Sequence, residues 1–381
     1  MAEQKAIQIA IYNHPEAYPP TLNAIDCLST KFDSINVTYR PNKETVWVYP
    51  KNVRLSYWKK KESDNPSLPS KISQFFSFCF KLLKSIRSNQ PQVVLLYDSI
   101  ALYAYYLIRR FIPHKHTLWY HNHDIPLYHN IRKYSIGWFA SRVHEKIFDK
   151  IDLFTLPAED RLRHFPMSIF TGKCLIIPNY PSQGKYNSVE IEKKDLTEVR
   201  VLFQGMITSG RGINEIAEYI GKSNINLKLV LAGNLDNAFF KSFMKYVGEN
   251  NLKSNVTYIG SLDYQSLISE TVKHHIGLAT LSAEDANYAT AATASNKIYE
   301  YAACGLPVLY FDNEHYNKHL DQFDWAVKTD LSTASLQQAI AYIVDNYEAL
   351  SAKARNDFTE SLNFEKVFEP VQEYLNCRPN D

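Results

Sequence analysis

The chain has only five cysteines in 381 residues, Cys27, Cys79, Cys174, Cys304 and Cys377, and no two of them are spaced as CxxC. A disulfide framework or a thiolate zinc site is therefore not expected, and a reducing compartment is. There is no long apolar run either. The longest, IALYAYYLI, is about half the ~20 residues needed to span a bilayer. The opening stretch MAEQKAIQIAIYNH is too polar for a secretory signal. A cytoplasmic setting is expected, with any membrane contact peripheral and on the inner face of the cytoplasmic membrane. Low-complexity segments and tandem repeats are also missing. With 45% hydrophobic and 22% charged residues, the chain has enough apolar material for two domains, each with its own core.

Net charge is small, +2, but it is unevenly placed. Up to residue 180 there are 24 Lys and Arg against 14 Asp and Glu, or +10; from 181 onward there are 18 against 26, or −8. A basic first half is expected to meet something anionic.

Short apolar runs alternate with helical patterns. In the first half IQIAIY, QVVLLY, HTLWYHN, LFTLP and CLIIPN read as strands. In the second half VRVLFQG, LKLVLAG, NVTYIG and IGLATL do the same, with helices from about 213, 237 and 263 between them. Such alternation predicts parallel sheets built from βαβ units. The polar, aperiodic stretch NYPSQGKYNSVEIEKKDLTE (179–198) is expected to connect two domains.

The most informative segment is SNKIYEYAACGLPVLYF, residues 295–311. A helix starting near Ser295 puts Ile298, Tyr301 and Ala302 on a buried stripe and Asn296, Glu300 and Ala303 on another face, with Lys297 beside them. Gly305 suits the position that ends the helix, and VLYF reads as a strand. Polar groups thus gather on the first turns of a helix, where free N–H groups and the helix dipole favour anions. A carboxylate one turn in can accept hydrogen bonds from two neighbouring hydroxyls, such as those of a ribose. A solvated first turn with an N-cap is the alternative.

NKIYEYAACGLPVL resembles the nucleotide-sugar-binding segment of GT-B glycosyltransferases, in particular the large retaining family 4 and its branch with Asn-Lys-hydrophobic-aromatic-Glu-Tyr. VRVLFQGMITSGRGINEI resembles the first strand and loop of the donor domain, IIPNYP (176–181) the end of the acceptor domain, and NFEKVFEPVQEYL (363–375) the final helix. The resemblance implies an α/β chain of two Rossmann-like domains with parallel sheets facing a central cleft. Residues 1–182 would bind the acceptor and 183–360 the nucleotide sugar, with 361–381 a helix crossing back to the first domain.

It also implies roles. Glu300 would hold the donor ribose, as the second acid of an E-x7-E motif. The first acid falls at Ala292, so either Glu284 or Asp285 compensates or the sugar is gripped differently. Arg211 in SGRG would neutralise the diphosphate. A second cation often follows the first glycine, but Met206 stands there, leaving Arg211, the backbone around Gly205 and Lys297. Gly233, Gly260, Ser261 and Asn296 complete the donor-side set. Negative charge grows on the β-phosphate as the glycosidic bond breaks, and placed cations and N–H donors stabilise it without reorganising. No cofactor and no metal is implied. GRGINE half-matches a dinucleotide fingerprint, with Glu215 where the third glycine would be.

In WYHNHDIPLYH (119–129), His121 and His123 alternate on a strand end and share a face, with Asp124 adjacent. In the family a His facing the transferred sugar follows this strand, and His123 with Asp124 matches that role, making His123 a catalytic candidate beside Arg211 and Glu300. A zinc site using His129 and a purely structural histidine pair are the alternatives. Asn13 and His14 fall at the sheet's carboxyl edge, where open α/β folds bind ligands, and with His121 and Asp124 form the acceptor-side set.

RLSYWKKK (54–61) and KISQFFSFCFKLLKSIR (71–87) are basic and aromatic. In the second, Ile72, Phe75, Phe76, Cys79, Leu83 and Ile86 follow helical spacing, so a stripe buried in the domain's own core is expected. Docking on anionic lipid is the other reading. No nucleic-acid signature accompanies the basic patches. The function expected is transfer of a sugar from a nucleotide-sugar donor to a saccharide or lipid-linked saccharide in surface-glycan assembly, with retention. The rivals are a non-catalytic partner subunit and a nucleotide-sugar epimerase.

Overall fold

The apolar runs become the strands of two all-parallel sheets in the computed structural model, which describes residues 5–41, 44–57, 67–125, 131–191, 193–281 and 286–377. The chain divides into two compact units, Met1–Pro178 with Val367–Asp381, and Asn179–Lys366.

The first unit carries β1 (Ala6–Ile11), β2 (Ser34–Tyr39), β3 (Val53–Ser56), β4 (Val93–Tyr97), β5 (Thr117–His121), β6 (Leu153–Leu156) and β7 (Lys173–Ile176), in the order β3-β2-β1-β4-β5-β6-β7. Helices cover the faces, so the central strands are buried throughout and read as continuous apolar runs rather than alternating ones. The one polar residue within β1, Gln8, is satisfied by Thr38 Oγ1 at 3.0 Å and by the Ser85 hydroxyl at 2.5 Å. The chain returns to this unit at Val367. There Phe368 packs 6.0 Å from Trp119, and the Tyr374 hydroxyl donates to Asp152 O at 3.0 Å.

The second unit carries β8 (Val199–Gln204), β9 (Leu227–Ala232), β10 (Val256–Gly260), β11 (Ile276–Ala279), β12 (Val308–Phe311) and β13 (Ala326–Thr329), in the order β10-β9-β8-β11-β12-β13. Strand order reverses between β8 and β11, and in open α/β sheets ligands bind beyond the carboxyl ends of the strands at such a reversal.

The stretch 179–198 is fastened to the second unit. Asn179 N–H donates to Thr293 O and its amide to Ala294 O, both at 2.8 Å, while Ser182 and Gln183 bond to Glu365 at 2.5 and 2.8 Å. One local expectation is corrected, the buried stripe of the helix over 71–87. The helix Leu68–Asn89 buries Phe75, Phe78, Cys79, Leu82 and Ile86, and leaves Ile72 and Phe76 exposed. The helix carries apolar residues over more than half its circumference, so periodicity alone did not choose the buried face. Of the basic stretch 54–61, residues 58–61 lie outside the described residues, as do His129, Glu284 and Asp285.

Candidate functional site

Three loops leave the carboxyl ends of β8, β9 and β10 through glycines with positive φ: Gly205 (+124°), Gly233 (+134°) and Gly260 (+86°). The strand ladder continues through them, with Gly205 N–H bonded to Ala232 O at 2.9 Å and Gly233 N–H to Gly260 O at 2.8 Å. A Cβ at Gly233 would lie 1.9 Å from the carbonyl oxygen of Gly205, so the two loops stack backbone on backbone. A Cβ at Gly205 would meet only the mobile end of Lys297, 3.4 Å from Nζ. Gly233→Ala is therefore expected to be the more destabilising substitution, by more than ~1 kcal/mol over Gly205→Ala, because a carbonyl oxygen in a ladder cannot swing aside as an ammonium can. Equal melting temperatures for the two variants would contradict this. Ser261, just after Gly260, is exposed.

The helix Asn296–Ala303 points its first turn at these loops. Its seating is set by Tyr301, whose ring occupies the space beside Gly277 (a Cβ there would fall 2.2 Å from the ring). The Tyr301 hydroxyl donates to Leu202 O at 3.1 Å and accepts from Gln204 N–H at 2.9 Å, which ties the helix to the end of β8. The helix closes at Gly305 (φ +68°) with a bond from Leu306 N–H to Tyr301 O at 2.9 Å. Expected as a two-faced helix, it is buried on nearly every side, Glu300 and Ala303 included. Ser295 stands at the N-cap without a side-chain hydrogen bond to the first turn. Ala292 is fully buried, which leaves no acid at that point of the motif.

Three charged residues meet here. Glu300, 7% exposed, accepts from the Gln204 amide at 2.5 Å and from the Tyr264 hydroxyl. Gln204 in turn accepts a long bond from Thr271 Oγ1 (3.4 Å), and Tyr264 meets Tyr186 hydroxyl to hydroxyl at 3.2 Å. Burial raises the Glu300 carboxyl from 4.5 to about 7, against the pull of Tyr264, Lys185 and Lys297. Lys297 lies over the Phe203 ring at 4.3 Å. Its ammonium is brought down from 10.5 to about 7, first by burial and then by the Arg211 charge, with Glu300 opposing. Lys297 thus feels both Arg211 and Glu300 as near neighbours.

Arg211 is 8% exposed, its guanidinium 4.1 Å above the Tyr288 ring, and its buried Nε has no hydrogen-bond partner. Its carbonyl accepts from the Thr280 hydroxyl at 2.8 Å, and Gly212 (φ +71°) leaves no room for a Cβ against that threonine. The loop is thereby held with the guanidinium turned inward. Thr293 Oγ1 is a second buried polar atom without a partner. An unsatisfied buried donor costs about 1–3 kcal/mol, and an anionic ligand would relieve it. A buried and a half-buried cation, a helix N-terminus and a buried carboxylate form an arrangement suited to a diphosphate carrying a diol. Of the donor-side residues named from sequence, Gly205, Arg211, Lys297 and Glu300 come together, with Asn296 and Gly233 beside them. Gln204 and Tyr264 were missed, since no motif marks residues that act through a neighbour.

The first unit has its own cluster at its strand-order reversal, between β1 and β4. The His123 ring is sandwiched between Tyr18 (4.4 Å) and Tyr97 (4.8 Å). Its Nδ1 bonds Asp98 Oδ2 at 3.0 Å, its backbone N–H bonds Asp98 Oδ1 at 2.8 Å, and its Nε2 meets Thr21 Oγ1 at 3.0 Å. Only an acceptor faces Nδ1, so Nδ1 carries a proton and donates it to Asp98. Asp98 holds this position with φ +64°, a strained conformation for a non-glycine residue. His121 lies 4.8 Å from His123, bonds Thr155 through Nδ1 at 2.9 Å, and keeps a buried Nε2 without a partner. Burial, then His123, holds it well below the usual imidazole range, so it is neutral. Asn13 bonds the Tyr18 hydroxyl, which burial raises to about 12.

His14, the other acceptor-side residue named from sequence, is held by residues of its own unit. Its ring is buried against Tyr39, Nδ1 accepts from Glu16 N–H at 3.3 Å, and Nε2 meets Thr45 Oγ1 at 3.2 Å. Asp124 is exposed, 4.0 Å from the buried Arg161, which donates to His123 O at 2.5 Å. Asp98, Tyr18 and Arg161 were not legible as site residues, since they arrive from separate elements.

No family model and no curated protein sequence matches the chain. Solved structures do match. Sucrose-phosphate synthase from Thermosynechococcus elongatus superposes with a TM-score of 0.72 at 13% identity over 98% of each chain. Anabaena HepE in complex with UDP gives 0.65 at 12% identity, over 98% of this chain and all of that one. WaaG, a glycosyltransferase involved in lipopolysaccharide biosynthesis, gives 0.64 at 11% identity over 98% of this chain and all of the other. Together with two parallel sheets of seven and six strands, these likenesses show that the chain has the GT-B fold, two Rossmann-like units in sequence.

Proposed function

We propose that the protein is a glycosyltransferase that moves a sugar from a nucleotide-sugar donor to a saccharide or lipid-linked saccharide in surface-glycan assembly, with retention at the anomeric carbon. The observation that carries this reading is the enclosed set of Arg211, Lys297 and Glu300 beside the glycine loops at the strand reversal of the second unit. Arg211 and Lys297 hold the diphosphate, and Glu300 accepts the ribose hydroxyls. The bond from the anomeric carbon to the β-phosphate oxygen breaks while the acceptor oxygen bonds that carbon on the same face. The acceptor proton passes to the departing phosphate. Acceptor recognition is assigned to the first-unit cluster around His123, with Asn13, His14, His121 and Asp124. Because two side-chain cations neutralise the diphosphate, turnover is expected to survive EDTA.

HepE was solved with UDP and with UDP-glucose, so these are the first ligands to try. Thermal-shift screening with UDP, GDP, ADP, CMP and dTDP is expected to single out one base. A ligand at a hundred times its Kd stabilises by about 2.7 kcal/mol, a shift of several degrees for a unit of this size. The cognate sugar nucleotide should then release nucleoside diphosphate in the presence of acceptor. No shift with any nucleotide would sink the reading. An epimer formed from donor alone would replace transfer with epimerisation, and nucleotide binding without turnover would make the chain a non-catalytic partner.

A further inference from the structure

The helix Leu68–Asn89 keeps its core-facing row buried, yet Ile72, Phe76 and Phe80 stand out at i, i+4 spacing, Phe76 59% and Phe80 67% exposed. The same row continues to Lys84, and Arg87 lies one turn beyond Leu83. Aromatic packing links this helix, through the buried Phe75, to exposed rings further along the unit. Phe76 contacts Phe75 (5.8 Å), Phe75 stacks on Tyr103 (5.5 Å), and Tyr103 stacks on Phe139 (6.3 Å). Phe139 then meets Trp138 (4.9 Å), which meets Tyr134 (5.2 Å). One aromatic strip thus crosses three helical segments, with Phe76, Phe139 and Tyr134 as its exposed members.

The strip is ringed by positive charge. Arg142 lies 3.8 Å over the Trp138 ring, and Arg132 and Lys133 are exposed beside Tyr134. From residue 68 to 150 the chain has twelve Lys or Arg against four acids, Asp98, Asp124, Glu145 and Asp149. Asp98 is already paired with His123, and Asp124 faces Arg161. Exposed aromatic and aliphatic side chains beside an excess of cations fit a surface that is apolar inside and anionic at its boundary. Aromatic rings with a polar edge settle at that boundary. No described helix is long and apolar enough to cross a membrane, so the contact is in the plane of the surface.

We infer that this face of the first unit docks on an anionic lipid bilayer, with Phe76 and Phe80 entering the headgroup region and Lys84, Arg87, Lys133 and Arg142 meeting the lipid phosphates. The inference is independent of the donor chemistry in the second unit.

The test is co-sedimentation of the full chain with phosphatidylcholine vesicles and with mixed phosphatidylcholine–phosphatidylglycerol vesicles. Binding to the mixed vesicles is expected, weakening with salt, with little binding to phosphatidylcholine alone. Each lost cation should weaken partitioning about five-fold, the equivalent of ~1 kcal/mol near the surface. Lys84→Ala with Arg87→Ala should therefore lose roughly twenty-five-fold, and Phe76→Ser with Phe80→Ser should also detach the protein. Because these side chains are exposed, melting temperature and nucleotide affinity should hold in both variants, which separates a failure here from a failure of the donor reading. The inference is overturned if the native chain stays in the supernatant with anionic vesicles, or if both variants sediment as it does. It is overturned equally if the phenylalanine variant merely dissolves a dimer that binds no lipid.

Discussion

Arg211→Ala is expected to lower turnover of the cognate sugar nucleotide by a hundred- to a thousand-fold, the usual cost of removing one donor aimed at a developing anion, or about 3–4 kcal/mol of barrier. The reason lies in the resting state of the guanidinium. It is buried, stacked on Tyr288, and keeps Nε without a partner. Desolvation is therefore already complete before the donor arrives, and the site gains most when charge appears on the leaving phosphate. A rise in KM is expected as well, because Arg211 also holds the ground-state diphosphate, and a fall in kcat larger than that rise is the signature of an interaction that strengthens in the transition state. Arg211→Lys should recover only part of it, since an ammonium lacks the planar fork. Measuring nucleoside diphosphate release settles the matter, and equal turnover by wild type and Arg211→Ala would remove Arg211 from the mechanism.

Glu300→Gln should do two opposite things. Nucleoside diphosphate affinity should fall ten- to a hundred-fold, the value of charge-assisted hydrogen bonds at about 1.5–3 kcal/mol. The ligand-free protein should meanwhile become more stable at alkaline pH. The sign follows from the raised pKa. A carboxyl at 4.5 in the unfolded chain and about 7 in the folded one costs nothing below the lower value. The cost builds between the two and is complete above about 7, where it amounts to about 3 kcal/mol. The variant's advantage in melting temperature should thus be large near pH 8 and fade towards pH 5. Lys297→Met should show the reverse slope, because its ammonium is depressed to about 7 and its cost is full below that value and lost as pH rises. Native donor affinity should peak near neutrality, where carboxylate and ammonium are both present, with Glu300→Gln flattening the acid limb and Lys297→Met the alkaline one. A flat stability difference across this pH range would mean that Glu300 is not held in a desolvated place.

How much of this was readable in the residues depends on where the determining physics acts. β1, β4, β5, β8 and β9 were visible because a strand largely buried on both faces reads as a near-continuous apolar run. β2 was not. SINVTY carries Asn36 and Thr38, which look solvated until Thr38 is seen bonded to Gln8 across the sheet. The helix Leu68–Asn89 was recognisable as a helix, but its buried side was not. Phe75 and Phe76 are equally apolar, and only the neighbouring helices decide which is covered. The donor-side residues showed a similar split. Glycines at strand ends and a Lys and Glu on a first turn are local features that βαβ geometry brings together. Gln204 and Tyr264 make Glu300 what it is, yet neither carries a local mark.

Taken alone, the sequence determined two parallel α/β units and the local order that places Arg211, Lys297 and Glu300 near one strand reversal. Periodicity and turn chemistry act over a few residues and survive without tertiary contacts. Only the tertiary structure decided which charges are desolvated, that His14 is held by residues of its own unit while Asp98 orients His123, and that Phe76 and Phe80 face outward. Burial and electrostatic coupling depend on distance in space, and residues as far apart as Gln204 and Glu300 acquire them only when the sheet closes over them.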